Sequence, residues 1–194
     1  MTNVIYIGQY KKFQKWIGER YNSGTPDIDI ILHTDGGNSA SSYIIGRLIH
    51  EYPGNVTTHV PYYAFSAGSL IVLSGDDICM NAYSLLSPLD TQYEVKVQGE
   101  QYDISSKIFM KIKLDDAGQK LLQGDAKVEH KQTENFLLDV CENRKCRDKI
   151  IELFLTNIQT HDNPITAHMM DCIGLKVKPV NKTIVELVNL MTNI

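Results

Sequence analysis

Apolar and polar positions change their period along this chain, and each change marks an element. Val4-Ile5-Tyr6-Ile7 is a short β-branched run that reads as a strand. Gln9 to Tyr21 then follows a helical period, with Phe13, Trp16, Ile17 and Arg20 on related faces. Asn22-Ser23-Gly24-Thr25-Pro26 is turn chemistry, and Ile28-Asp29-Ile30-Ile31-Leu32-His33 is a second, mostly apolar β run. Asn38 or Ser39 caps a helix expected from about Ala40 to Tyr52, ended by Pro53-Gly54. Asn55 to Val60 predicts a third strand, Ala67 to Leu73 a short apolar helix stopped by Gly75, and Asp77 to Met80 a fourth strand. Strands that alternate with helices predict an α/β fold with parallel strands.

The second half has a different rhythm. Tyr93, Val95 and Val97 alternate with polar residues, Gln98-Gly99-Glu100 is a turn, and Tyr102 with Ile104 returns as a strand. From Ser105 to Ile158 the pattern is helical and charged, with Gly124 and the Arg144-Lys145-Arg147 cluster as expected breaks. Thr166 caps a helix to Ile173 closed by Gly174. Lys176 to Val180 reads as a last strand, and Asn181 to Met191 as a final amphipathic helix. No linker divides the chain. The expectation is one domain over 1–194: an α/β core at 1–90, a hairpin and helical region at 91–158, and a C-terminal completion of the core at 159–194.

Composition narrows the function classes. The 194 residues carry a formal charge of −4, with 43% hydrophobic and 22% charged positions, as in an ordinary folded domain. A mild acidic balance without a basic run argues against nucleic acid as a partner. Cys79, Cys141, Cys146 and Cys172 form no C-x-x-C pair, so neither a metal site nor a redox motif is expected, and no cofactor is implied. The N-terminus lacks a signal-peptide pattern, and Ala64 to Leu73 is far shorter than the ~20 apolar residues of a membrane span, so a cytoplasmic location is expected.

Two turns carry the candidate chemistry. Asp35-Gly36-Gly37 lies between a predicted strand and a predicted helix, where paired glycines let the backbone turn sharply and present N–H groups. By itself the glycine pair is a weak signal, because a plain strand-to-helix turn accounts for it more readily. Ala64-Phe65-Ser66-Ala67-Gly68 places a serine among small residues at the start of an apolar helix, where a nucleophile elbow presents its hydroxyl. A serine N-cap needs no chemistry at all and is the competing account. In a parallel α/β layer both turns fall on the edge where ligands bind. The N–H groups of Gly37 and Ala67, with the Ser66 hydroxyl between them, would make an acyl-transfer site.

Taken in order, Ile31-Leu32-His33-Thr34-Asp35-Gly36-Gly37 and Pro61-Tyr62-Tyr63-Ala64-Phe65-Ser66-Ala67-Gly68-Ser69 resemble the serine dehydrogenase proteinase family. That family is similar to signal peptide peptidase A and belongs with the Clp protease/crotonase superfamily. Ser87-Pro88-Leu89-Asp90 and Thr160-His161-Asp162-Asn163-Pro164-Ile165-Thr166 extend the match, which covers residues 28–90 and resumes at 160–175. The resemblance implies a crotonase-like spiral of ββα units with a helical C-terminal half. It implies Ser66 as nucleophile, Gly37 and Ala67 as oxyanion donors, a peptide or unfolded protein as substrate, and a homo-oligomer. It does not specify a membrane or ATPase partner. Asp35 stands where the family commonly has proline.

The base that activates Ser66 has several candidates. Clp-type enzymes use a His–Asp pair, but Asn81 to Asp90 contains no histidine; Ser87 falls about where it would be, and Asp162 falls at the aspartate. Signal peptide peptidase A uses a lysine from a later helix, which leaves Lys107, Lys111, Lys113 and Lys120, with Lys120 at the best-fitting separation. His161 is a third candidate, and His33 ends a strand on the same edge. The leading expectation is therefore a serine peptidase with a lysine base. The alternatives are a non-catalytic oligomeric scaffold or regulatory protein of the same fold, and a crotonase-type acyl-CoA enzyme.

Overall fold

In the computed structural model, which describes residues 4–5, 9–24, 27–97, 100–113, 117–157 and 160–192, the first half alternates as its pattern predicts. β1 (Val4–Ile5) and α1 (Gln9–Asn22) lead to β2 (Ile28–Ile31), β3 (Gly36–Gly37), α2 (Ser39–His50) and β4 (Val56–Val60). β5 (Tyr63–Ala64), α3 (Ala67–Leu73), β6 (Asp77–Met80) and β7 (Leu85–Leu86) follow. β2, β4 and β6 form a parallel sheet in the order β2-β4-β6, with Ile28 opposite Val56 and Thr58 opposite Ile78. Asn38 is the cap of α2, its side chain accepting from the Ser41 N–H at 2.8 Å.

The second half holds a hairpin, β8 (Gln92–Val97) and β9 (Glu100–Ser105), then α4 (Ser106–Phe109), α5 (Ala117–Val140) and α6 (Arg147–Ile151). A π-helical turn (Glu152–Thr156), β10 (Ile165–Thr166), α7 (Ala167–Ile173) and α8 (Lys182–Thr192) complete it. Two expectations are corrected. Gly124 does not break its helix; it has open space around it on α5, and the ~1 kcal/mol it costs relative to alanine is small beside the burial of Ala126, Leu137 and Val140. Lys176 to Val180 makes only an isolated bridge, Lys178 to Cys79, at the edge of the parallel sheet. Residues 6–7 of the first predicted strand and 98–99 of the predicted turn lie outside the described residues.

α3 explains why a seven-residue segment is apolar all round: every one of its residues is buried. Ala67 and Ile71 face Ile17, Ile45, Ile49 and Val56, where α1 and α2 cover one face of the sheet. Leu70, Val72 and Leu73 join the larger cluster formed with Leu86, Leu137, Ile150, Phe154 and Met170. The serine before α3 is thereby anchored to the centre of the molecule. Past the ends of the parallel strands, β5, β7 and β10 pair as a second small sheet in the order β10-β7-β5.

Candidate active site

The two candidate turns meet beyond the C-terminal ends of β2 and β4. Thr34 bridges Ala64, its N–H donating to Tyr63 O at 3.3 Å and its carbonyl accepting from Phe65 N at 3.0 Å. Thr34 Oγ1 also accepts from the Gly36 N–H at 3.1 Å, which folds the glycine pair back toward residue 65. The contact is close enough to demand glycine. A Cβ on Gly36 would lie 2.8 Å from Phe65 O, 2.9 Å from Ser66 Cβ and 3.5 Å from Ala67 N, at φ +102°. Thus the Gly36-Gly37 backbone lies directly against Ser66-Ala67.

Ser66 has φ 49° and ψ −118° and is the one non-glycine residue with positive φ among the described residues. Such a conformation costs ~1–3 kcal/mol and persists only where surrounding contacts impose it. Three contacts do so here. The Ser66 N–H donates to Ser87 Oγ at 2.7 Å, the Ser87 N–H donates to Ser69 Oγ at 3.0 Å, and Ser69 Oγ donates to Ala64 O at 2.8 Å. The Ser66 hydroxyl makes no capping hydrogen bond to α3, so the simple N-cap account does not describe it. Ser69 and Ser87 were not singled out as positioning groups by the sequence; the signal for Ser69 was a second small polar residue one helical turn after Ser66.

Two cavities flank this turn. One, of ≈ 140 Å³, is lined by Asp35, Phe65, Ser87, His161 and Asp162. It brings His161 and Asp162 beside Ser87, whose hydroxyl already serves the Ser66 N–H. His161 is half-buried with Nδ1 unpartnered, while Asp162 is exposed. The second cavity, of ≈ 30 Å³, is lined by Ser66, Ala67, Ser42, Tyr43, Asp90 and Thr133 among others. Asp90 is 2% exposed, and its Oδ1 accepts from Ser106 Oγ.

The lysines sit on different elements. Lys120 is exposed on α5. Lys107 is half-buried on α4, next to Ser106, and its Nζ donates to Thr156 O. Lys111 and Lys113 are exposed. His33 packs against the Tyr62 and Tyr63 rings, centroids 5.7 Å and 4.3 Å away. Burial holds its pKa below the ordinary histidine value, against the opposing pull of Asp35. Burial and then Asp35 raise the Tyr63 phenol. His130, near Asp90, Glu134, Lys107 and Lys131, is also held low, chiefly by burial. Among the described residues no group of three or more His, Cys, Asp or Glu side chains is placed to hold a metal ion. No helix among them is long and apolar enough to cross a membrane.

A glycine pair pressed against a strained serine turn, on the strand-end edge of a parallel α/β layer, belongs to a ClpP-like fold. The chain belongs to the family of ClpP-like SDH-type serine proteinases, whose sequence model matches residues 17–193. It is similar to two uncharacterized proteins of Methanocaldococcus jannaschii. MJ1495 is 29% identical over 167 residues, spanning 84% of this chain and 56% of the relative; MJ0137 is 34% identical over 156 residues, spanning 77% and 53%. The chain thus spans about half the length of the curated relatives it matches. Among solved structures, a mutant of the 1510-N membrane-bound stomatin-specific protease is similar at TM-score 0.66 and 16% identity, covering 97% of this chain and 80% of that one. A second mutant of that protease, in complex with a substrate peptide, gives TM-score 0.65 at 15% identity, covering 94% and 74%. A mutant of ClpP1 from Listeria monocytogenes gives 0.60 at 10% identity, covering 95% and 92%. These likenesses establish the shared fold.

Proposed function

We propose that the chain is a serine peptidase in which Ser66 Oγ attacks the scissile carbonyl. The N–H groups of Gly37 and Ala67 receive the oxyanion, and a lysine amine takes the serine proton. That proton passes to the departing amine as the tetrahedral intermediate collapses to an acyl-Ser66 ester, which water then hydrolyses. The observation that carries this reading is the conformation of Ser66: positive φ, no capping bond, and a glycine held against it. The hydroxyl is kept out of a structural role at a cost in backbone strain.

Lys107 and Lys120 are the two bases to compare. Lys107 is favoured by its surroundings. It is half-buried and follows Ser106, whose hydroxyl donates to Asp90, a residue of the small cavity beside Ser66. In the two 1510-N protease structures the residues replaced by alanine are a serine and a lysine at positions 97 and 138 of that chain, as far apart as Ser66 and Lys107. Lys120 would need burial by a second copy of the chain to act as a neutral amine, because it is exposed on α5. A peptide substrate and a homo-oligomeric assembly belong to the same proposal, since the similar structures include a substrate-peptide complex and a ClpP.

The test is labelling with a fluorophosphonate, mapped by mass spectrometry, alongside cleavage of an unfolded-protein panel. Label on Ser66 is expected, abolished by Ser66→Ala. Lys107→Ala lowers cleavage by ~10³-fold or more, whereas Lys120→Ala has a much smaller effect. A folded, assembled protein that is neither labelled nor active overturns the proposal. It would favour the scaffold reading, in which the fold and the serine turn are kept without hydrolysis.

A further inference from the structure

Asp90 is the one carboxylate of the site that is both buried and incompletely paired among the described residues. It is 2% exposed; Oδ1 accepts from Ser106 Oγ, while Oδ2 has no partner. A buried carboxylate oxygen left unpaired retains its desolvation penalty, so a site built this way is completed by a donor, best a cationic one. Asp90 lines the ≈ 30 Å³ cavity that also touches Ser66 and Ala67. We propose that this cavity is the specificity pocket of the hydrolytic site, and that it takes the ammonium group of a substrate lysine flanking the scissile bond. The inference rests on the peptidase reading above.

The shape of the pocket selects lysine among cations. A water needs ~10–15 Å³ of such space, so ≈ 30 Å³ admits a group of ammonium size and fits the larger guanidinium less well. A second cavity of ≈ 190 Å³ shares Ser39, Tyr43 and Thr91 with the first and adds Glu129 and Gln132. It gives the methylene stem a path beside the Tyr43 ring, with a further carboxylate on its wall. Two of the hydroxyls that line it are already engaged: Tyr43 pairs with Thr133 at 2.7 Å, and Thr133 Oγ1 donates to Glu129 O at 3.0 Å. Asp90 Oδ2 is left as a charged acceptor without a partner, sealed from solvent. On the other side of the turn, Asp35 and Asp162 line the ≈ 140 Å³ cavity, which adds negative charge that favours a positively charged peptide.

The experiment compares kcat/KM for matched peptides that carry lysine, arginine or norleucine before the scissile bond, using wild-type protein and Asp90→Asn. Labelling of Ser66 is read in the same samples. Wild type is expected to prefer lysine over norleucine by ~100-fold or more and over arginine by ~10-fold, and Asp90→Asn to lose that preference. A uniform loss across all three peptides would mean that Asp90 serves a residue of the chain itself, such as Lys107, and overturns the inference. Labelled Ser66 without lysine preference also overturns it and leaves the peptidase reading intact. Should Ser66 not be labelled, the peptidase reading fails, and the pocket is judged by ligand alone. n-Butylammonium chloride should raise the Tm of wild type where n-butanol does not, and no difference between the two refutes the pocket. Ser39→Leu, at the exposed junction of the two cavities, should abolish the n-butylammonium effect and provides a second variant if Asp90→Asn does not fold.

Discussion

Gly36→Ala tests how the Ser66 turn is held. At φ +102° an alanine is strained whatever the space around it, by ~1–3 kcal/mol. The space is also taken. The new Cβ would meet Phe65 O at 2.8 Å and Ser66 Cβ at 2.9 Å, and both atoms are fixed by the backbone rather than carried on a flexible side chain. Relieving that overlap adds ~1–3 kcal/mol, so the total expected destabilisation is ~2–6 kcal/mol. The relief can come only from moving the 65–66 turn away from the glycine pair. That displaces the Gly37 and Ala67 N–H groups, the proposed oxyanion donors, relative to the hydroxyl; on that proposal the loss of one donor costs ~10²–10³-fold in rate. The assay pairs urea unfolding, read as a midpoint shift at constant slope, with the rate of Ser66 acylation by a fluorophosphonate below the unfolding transition. Gly124→Ala is the control of opposite sign: with nothing within 4 Å of its Cβ position on α5, it gains ~1 kcal/mol from helix propensity. A Gly36→Ala protein with the wild-type midpoint and acylation rate would refute the reasoning.

Three further outcomes are expected. Ser69→Ala removes a buried hydroxyl that both donates to Ala64 O and accepts from Ser87 N, costing ~1–3 kcal/mol in urea unfolding and slowing Ser66 acylation. Stability should fall as the pH drops below about 6.5, because half-buried His33 and His130 resist protonation while the unfolded chain takes up protons freely. His130→Gln should flatten that slope between pH 7 and 5, and an unchanged slope would exclude His130 as a contributor. Iodoacetamide should modify exposed Cys172 first and leave buried Cys141, whose thiol is pushed up to about 11, untouched until unfolding.

Much of the candidate edge was legible in one dimension because its parts are local. The β-branched runs at Ile28 and Val56, the caps at Asn38 and Thr166, and the αL stop at Gly174 each depend on a few consecutive residues. The same holds for Ser66: small neighbours and an apolar helix behind it are enough to suggest a sharp turn. What escaped were the two-residue strands β3, β5, β7 and β10, which have no period to read and exist only because other segments pair with them.

The sequence by itself determined the alternation of strands and helices, the glycine pair, the serine turn and the family they belong to, since each is written in contiguous residues. Only the tertiary structure decided that Ser87, 21 positions from Ser66, accepts its N–H. The same folding seals Asp90 beside the serine with one oxygen unpaired, and sets Ser106, 16 positions on and just before Lys107, against its other oxygen. The reason is physical. Hydrogen-bond partners, desolvation and cavity shape are fixed by which distant segments the core brings together, and no local pattern encodes them.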